Sequence, residues 1–558
     1  MTVDVLQSPS RSPSSTRDKT KVLTSGLHYE VNDIPKWNSL LLFALQQSLL
    51  CISGLLVIPF LVSNIACAGD QTIALRVKLI AATFVTSGIA TIIQTTFGLR
   101  LCILHGPSFA FLPPLIAFAA LPENECKVDL HTTVPEEIWI SKITTIQGSL
   151  LSAVAIMIVL GSTGLVGIFA RYVGPITITP LLLLLTIGTI PTAVQKIALH
   201  WISGVELALL ITMTLLLENF YLPIPYYSIK ERRMKITRMR VFGQFPYLIG
   251  ISAAWIICFI LSKTDLEPVE GEARIDKNAT LSVLSQSPWF QIPYPFQFGS
   301  MKFSTGLFLG FLASTLACMM ESIGDYEMCA KISHQRHPPV SSINRAIICE
   351  GVGAVLAAIM GVGTGVTTYA ENIAIMQITK VASRATMQVA GIILILLGCF
   401  TKCAAILASI PDAVVGGVLA MGMAMIMGVA VSNLQTVDLR VSRNLTVIGV
   451  ALLLGCVIPD YIEEHPIKTD NMTLNNVLGM LLKIKMLIGG LIAFFLDNVV
   501  PGATKYQRGF QSTEEDKTNL DSTNDGYALP EFILKLIERF PVLSCLPFLP
   551  SPRRSLIV

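Results

Sequence analysis

Long hydrophobic runs with few charges alternate with short polar stretches along most of the chain. The first 36 residues carry nine charged side chains, whereas the next 61, Trp37 to Phe97, carry three. A helix needs about 20 apolar residues to cross the hydrocarbon core of a bilayer, and several uncharged runs meet that length. The pattern therefore predicts an all-α polytopic membrane protein.

We count fourteen hydrophobic segments between a polar N-terminal tail (1–36) and a C-terminal tail (498–558). Segments three and ten are short. The segments lie near residues 38–61, 77–97, 106–120, 143–161, 172–188, 203–220, 242–262, 304–328, 343–360, 368–381, 385–408, 412–431, 444–459 and 477–497.

Basic side chains are concentrated in the loops after segments six, eight, ten and twelve. Because cytosolic loops carry an excess of Lys and Arg, both termini are predicted to be cytosolic. The sequons at Asn278 and Asn471 then face outside, and both are predicted glycosylation sites. Cys67 and Cys126 also fall in outside loops, where a disulfide between them is possible.

Composition narrows the class of protein. Charged residues make up 14% of the chain and hydrophobic residues 52%, whereas a soluble domain is about a quarter charged. The net charge of +3 gives no reason to expect nucleic acid binding. The sequence contains no recognisable nucleophile–base pair, metal-ligand cluster or phosphate loop, so neither an enzyme nor a cofactor is predicted.

Fourteen segments divide into two sets of seven, 37–303 and 304–497. An odd number per half gives the halves opposite orientations, as in the inverted repeats of many transporters. Segments three and ten each follow a Gly- or Pro-containing stretch, which predicts two half-helices that start inside the membrane. Their unpaired N–H groups are tolerable only beside a polar cavity. The alternative is that these stretches are glycine-rich packing contacts between helices.

Three acidic side chains are predicted to lie near the midplane of the membrane. Glu321 and Asp325 are four residues apart, and therefore on one helical face, while Glu371 opens segment ten. A charge at the bilayer centre costs at least ~2.5–3.5 kcal/mol, so these carboxylates predict a mobile cation, Na⁺ or H⁺. The alternative is a static ion pair with Lys402 or Arg345.

Four further charged residues, Glu206, Glu350, Lys402 and Asp412, lie nearer the predicted ends of segments. Snorkelling or an interfacial position is sufficient to explain them. Asp412 follows Pro411, and helix capping is the expected role of its side chain.

Several motifs together resemble the nucleobase–ascorbate transporter family. ENIAIMQITK at 371–380 looks like the family signature, and ESIGDYEMCAKIS at 321–333 is similar to its eighth segment. LQQSLLCISGLLVIPFLV (45–62), TIIQTTFGLRL (91–101), IPDAVVGG (410–417) and SNLQTVDLRVSRN (432–444) also match. The resemblance extends from Tyr29 to the Pro-rich C-terminal tail.

The resemblance implies a core domain (38–161 and 304–408), a gate domain (172–262 and 412–497), elevator-type movement, a plasma-membrane location and a homodimer through the gate domains. It implies that Glu321 and Glu371 bind substrate and that Asn372 supports them. Ser108 and Phe109 line the opposing half-helix, and Gln46 lies in segment one. Asp325 is similar to the acidic residue of sodium-coupled animal members, which implies Na⁺ near it.

Two residues depart from the family pattern. Ala374 replaces the signature Gly, and Gln47 replaces a His that usually follows Gln46. These departures keep open a non-transporting receptor or scaffold as an alternative. A channel is a further alternative, although opposed half-helices suit alternating access better.

The family divides chiefly into nucleobase and ascorbate carriers, and its ascorbate members resemble one another in having Pro at the position of Glu371. A carboxylate accepts N–H hydrogen bonds from a nucleobase. Ascorbate is an anion, and two like charges about 4 Å apart repel by roughly 4 kcal/mol at an effective dielectric of 20. We therefore expect a cation-coupled importer of a uracil- or xanthine-type nucleobase. Sodium-dependent ascorbate transport is the alternative within the family.

Overall fold

The computed structural model describes residues 27–121, 123–126, 134–228, 233–268, 271–465, 467, 475, 478–479, 481–510, 526–540 and 546–549. Within these ranges the fold is mainly helical, with two short antiparallel strand pairs. The helices of the first half are α1 (Trp37–Leu50), α2 (Ile52–Ala66), α3 (Thr72–Thr96), α4 (Leu112–Ala119), α5 (Glu136–Thr163), α6 (Leu165–Phe169), α7 (Pro175–Ile197), α8 (Ile202–Ile211), α9 (Val241–Gln244), α10 (Pro246–Lys263) and α11 (Asn278–Gln286).

The second half repeats the alternation of long and short helices. Its helices are α12 (Thr305–Ile332), α13 (Val340–Met360), α14 (Ala370–Thr379), α15 (Arg384–Cys399), α16 (Thr401–Ala408), α17 (Asp412–Asn433), α18 (Ser442–Glu464), α19 (Lys485–Val499) and α20 (Glu531–Arg539). The strands are β1 (His105–Pro107), β2 (Leu222–Ser228), β3 (Arg233–Met239) and β4 (Val366–Thr368).

Helices occupy the positions of the fourteen predicted segments, and the polytopic all-α class is confirmed. In the described part of the chain, nine helices are long and apolar enough to cross a membrane, and the pair α15 and α16 makes a tenth if it counts as one span. Phe109–Ala119 and Ile202–Leu216 are shorter apolar helices. The number of fourteen crossings stays a prediction.

Two features differ from the sequence expectation. Segment eleven is bent by 79° between α15 and α16, where Phe400 leaves helical geometry and its ring packs against Trp289 and Phe290. The basic loop between segments six and seven contains a hairpin, in which β2 pairs with β3. A hairpin satisfies the backbone groups of a polar connection without burying its side chains.

The long helices pack as two groups. In the first group α3 packs against α13 and α15, α5 against α12 and α13, and α1 against α15. In the second group α7 packs against α17 and α19, α18 against α19, and α8 against α17. The groups meet where α2, α12 and α14 face α7, α10 and α17.

Small residues bring the helices of the first group into close contact. A Cβ atom added at Gly88 of α3 would lie 2.5 Å from the carbonyl oxygen of Gly391 on α15. Neither helix could keep this separation with a side chain at that point, as is usual where membrane helices associate through small residues.

The possible disulfide between Cys67 and Cys126 is present, with the two Cα atoms 5.7 Å apart. It joins the C-terminal end of α2 to the loop after α4. Of the two predicted glycosylation sites, Asn278 begins α11, and Asn471 lies outside the described residues.

We expect the exposed Cys126 to be protected from a membrane-impermeant maleimide on intact cells until the cells are treated with a reductant, because a thiol in a disulfide has no free thiolate to react. The Cys67→Ser variant should label at Cys126 without reduction. The measurement is mass spectrometry of the labelled peptide. Labelling of the parent chain before reduction would contradict the bond, and labelling only after permeabilisation would contradict the orientation.

Candidate functional site

The two predicted half-helices start from a pair of short strands that cross inside the protein. β1 and β4 are antiparallel, with His105 opposite Thr368 and Pro107 opposite Val366. The Ser108 N–H donates to the Gly365 carbonyl at 2.9 Å, and the Tyr369 N–H donates to the Leu104 carbonyl at 3.0 Å. The strands therefore satisfy each other's backbone groups and bring the two helix starts together.

Local sequence explains this crossing. Before β4, Gly361 and Gly363 have φ values of +85° and +91°, a region that glycine enters without steric cost. Gly106 lies against the ring of Tyr369, where a Cβ atom would overlap the ring. These glycines permit the turns and the close approach that the strand pair requires.

Polar side chains fix both helix starts. Ser108 accepts a hydrogen bond from the Ala110 N–H at 3.2 Å, which caps the turn Phe109–Phe111 before α4. At the start of α14, Asn372 donates to the Gln47 side-chain oxygen at 2.6 Å and to its carbonyl at 3.1 Å. Gln47, one of the two departures from the family pattern, therefore attaches α14 to α1.

A small cavity lies in front of the two helix starts, and both helix groups line it. Phe109, Glu321, Asp325 and Glu371 contribute from the first group, and Leu182, Ile426 and Val429 contribute from the second. Four of the seven predicted site residues thus come together. Ser108 and Asn372 do not line this cavity and instead support the helix starts. Gln46, which precedes Gln47 on α1, is buried.

No cation neutralises Asp325 among the residues that the structure describes. Asp325 is 4% exposed, and its Oδ2 atom has no hydrogen-bond partner there. Lys402 donates instead to the Leu284 and Ser285 carbonyls, and Arg345 donates to the Gly98 and Tyr527 carbonyls. The static ion pair proposed as an alternative is therefore wrong. The described His, Cys, Asp and Glu residues form no group of three that could hold a metal ion by themselves.

Glu350, which sequence reasoning assigned to a span end, is fully buried on α13. Its carboxylate accepts hydrogen bonds from Ser322 at 2.7 Å, Tyr326 at 2.6 Å and Cys318 at 3.6 Å. Ser322 and Tyr326 each follow one of the site carboxylates along α12. Since Ser322 also contacts Thr367 of β4 at 3.2 Å, Glu350 fixes the rotation of α12 and ties it to the strand crossing.

Two other expectations for charged residues are corrected. Glu206 is completely buried on α8 and therefore does not snorkel to the surface, and neither carboxylate oxygen has a hydrogen-bond partner in the described structure. Asp412 does not cap α17 but forms an ion pair with Arg76 of α3 at 2.9 Å. Sequence spacing alone could not identify the burial of Glu206 or the partner of Asp412, because both depend on helices distant in sequence.

Comparison with known proteins gives matches over most of the chain. A family model described as "Permease family" matches residues 38–464. Human solute carrier family 23 member 2 is 36% identical over 547 residues, which cover 94% of this chain and 83% of that protein. Rat solute carrier family 23 member 1 is 34% identical over 570 residues, which cover 97% and 92%.

A plant relative and a solved structure are more distant. Nucleobase-ascorbate transporter 12 of Arabidopsis thaliana is 25% identical over 578 residues, which cover 95% of this chain and 77% of that protein. The transmembrane domain of a cyanobacterial bicarbonate transporter, BicA, aligns over 72% of this chain and 97% of its own with a TM-score of 0.37 and 14% identity. That structural likeness is too low to carry an argument.

We expect Glu350→Leu to lower the free energy of unfolding by about 2–4 kcal/mol, because it leaves buried donors on Ser322 and Tyr326 without an acceptor. Glu350→Gln should lose less, since its amide oxygen still accepts one hydrogen bond. The measurement is thermal unfolding of the purified protein in detergent. Glu464→Leu, at the exposed end of α18, is the control, and an equal effect of both leucine variants would contradict the assigned role.

Proposed function

The chain belongs to the nucleobase–ascorbate transporter family and is a membrane transporter, not an enzyme; on this premise we propose that it imports a nucleobase of the uracil or xanthine type together with Na⁺. The proposal concerns the substrate, the coupling ion and the movement. All three depend on the cavity in front of the two half-helices.

One observation supports the proposal above the others. Glu321, Asp325 and Glu371 line one cavity, and no ion pair joins them to a cation in the described part of the chain. Three carboxylates near one another in a low-dielectric site repel and lose hydration. A site of this kind needs hydrogen-bond donors and mobile positive charge from what it binds.

A nucleobase supplies the donors. Its ring N–H groups match the acceptor oxygens of Glu321 and Glu371, and a hydrogen bond to an ionised acceptor is about twice as strong as a neutral one. The ring face fits against Phe109 on the opposing half-helix, where an offset-stacked contact is favourable. Ascorbate, an anion, gains nothing from Glu371 unless a cation accompanies it.

Na⁺ supplies the positive charge and the driving force. The unpartnered Oδ2 of Asp325 is the ligand that we assign to it, with oxygens of the substrate or water completing the coordination. Moving one positive charge inward across 100 mV contributes about 2.3 kcal/mol. Neutralising the carboxylates also lowers the cost of moving the loaded site relative to the other helix group.

The division of the cavity lining between two helix groups suits an elevator-type movement. The first group corresponds to a core domain (38–161 and 304–408) and the second to a gate domain (172–262 and 412–497).

We further propose a homodimer through the second group, a plasma-membrane location with both termini cytosolic, and glycosylation at Asn278 and Asn471. The side chain of Ala374 lies outside the described part of the chain.

The first test is uptake of radiolabelled uracil, xanthine and ascorbate by cells that express the chain, in sodium medium and in choline medium. We expect sodium-dependent uptake of a nucleobase. Sodium-dependent ascorbate uptake would contradict the substrate assignment while leaving Na⁺ coupling intact. Absence of all three, with the chain verified at the cell surface, would favour a non-transporting receptor, and binding of a substrate without flux would establish it.

The second test separates the roles of two carboxylates on α12. Asp325→Asn should remove the sodium dependence of uptake because it removes the charge that attracts the cation. Glu321→Gln should instead raise the substrate KM by roughly tenfold or more, since it removes an ionised acceptor. Glu464→Gln is the matched control. If Asp325→Asn keeps its sodium dependence, the assignment of Asp325 is wrong.

A further inference from the structure

Helix α17 of the second group runs past the proposed site and has residues on both sides of it. Asp412 stands at its start, Ile426 and Val429 line the site, and Ser432 and Asn433 line a larger cavity beyond it. At 1.5 Å per residue, Asp412 is about 21 Å from Ile426. The end that begins at Asp412 is the one predicted to face outside.

The larger cavity has a volume of about 530 Å³ and lies on the side predicted to be cytosolic. Lys331, Lys380 and Thr436, from the two helix groups, are among its lining residues. It also reaches Gly324 and Ile178, which are one residue before Asp325 and one helical turn before Leu182. The proposed site therefore adjoins the cytosolic cavity.

The outer side is closed by apolar contacts between the groups. Leu56, Val57 and Phe60 of α2 face Val414, Val415 and Val418 of α17 around a very small void, and all six side chains are buried. This set, the outer seal, separates the site from Asp412.

An ion pair covers the outer seal. Arg76 of α3 donates to Asp412 at 2.9 Å, and the side chains are 7% and 11% exposed. The Arg76 guanidinium lies 4.4 Å from the centre of the Phe60 ring, which belongs to the seal. This ion pair joins α3 of the first group to α17 of the second at the side predicted to face outside.

Each partner keeps other polar contacts within its own group. Arg76 also donates to Ser63 at 2.8 Å and to Asn64 at 2.7 Å, both at the end of α2. Asp412 lies 3.8 Å from the Lys196 ammonium at the end of α7. If the groups separate, Asp412 keeps the Lys196 ammonium and Arg76 keeps two hydrogen-bond acceptors, which reduces the penalty of separating a buried ion pair.

We propose that Arg76 and Asp412 form an outer latch, which holds the two helix groups in the arrangement that is closed outside and open to the cytosol. The latch regulates the site of the proposed function and rests on the relative movement of the groups assumed there. Loss of the pair shifts the population toward the outward-open arrangement, because only the closed arrangement gains from the contact.

The test measures access from outside rather than transport. Val429→Cys introduces a thiol in the site on α17, and its rate of modification by a membrane-impermeant methanethiosulfonate reagent is measured on intact cells. The chain without this substitution supplies the background from native cysteines. We expect Arg76→Gln or Asp412→Asn to raise the rate at Cys-substituted position 429 by roughly three- to tenfold, and Arg76→Lys to have a smaller effect.

Lys485→Gln is the matched control. Lys485 pairs with Asp460 at 2.7 Å, but both residues belong to the second group, at its outer end, so its loss should leave access unchanged. Unchanged access in Asp412→Asn and Arg76→Gln, or an equal rise in Lys485→Gln, would overturn the latch. If one variant fails to reach the cell surface, the other gives the same reading from the opposite partner.

The measurement requires no transported substrate, so it is independent of the uptake test. Failure of uptake with all three compounds, together with increased access, would reject the proposed function and retain the latch. Sodium-dependent uptake with unchanged access would reject the latch alone.

Discussion

The pairing of β1 with β4 is the constraint on which the site depends. A half-helix that starts inside hydrocarbon exposes backbone groups that water cannot reach, and each such group costs several kcal/mol if it stays unpaired. Here the strand before each half-helix pairs with backbone groups of the other strand, through the Ser108–Gly365 and Tyr369–Leu104 hydrogen bonds. Neither helix start could satisfy these backbone groups alone, so the two halves of the chain depend on each other for the hydrogen bonds.

The charges of the helical bundle are arranged so that the cavity carboxylates stay uncompensated. Lys402 donates to the carbonyls of Leu284 and Ser285, and Arg76 is engaged with Asp412. Glu350 is stabilised by hydroxyl and thiol donors, not by a cation. Among the described residues, Lys402 and Arg76 are thus engaged away from the cavity carboxylates, and in the proposed function a bound ligand or ion supplies the positive charge.

The contacts between the helix groups differ in character from outside to inside. On the side of the cavity that is predicted to face outside, the groups meet through the buried outer seal and the Arg76–Asp412 pair. On the side predicted to be cytosolic, the larger cavity separates them. The energy of apolar contacts depends little on orientation, so two apolar surfaces can slide past each other at low cost. An ion pair, in contrast, has a defined geometry. The outer latch therefore gives one position of the groups a preference that packing alone would not define.

The sequence by itself determined the membrane class, the positions of the apolar segments and the two half-helices, since these follow from the length of apolar runs and from glycine and proline placement. It also identified Glu321, Asp325 and Glu371, because a carboxylate inside an apolar run is unusual wherever it lies. Only the tertiary structure decided which charges have partners. The contacts of three other acidic residues differ: Glu350 accepts hydrogen bonds, Glu206 has no hydrogen-bond partner in the described structure, and Asp412 forms an ion pair. The neighbouring sequence does not distinguish these three cases. A hydrogen bond or an ion pair depends on which helices meet, and that is a property of long-range packing rather than of local pattern.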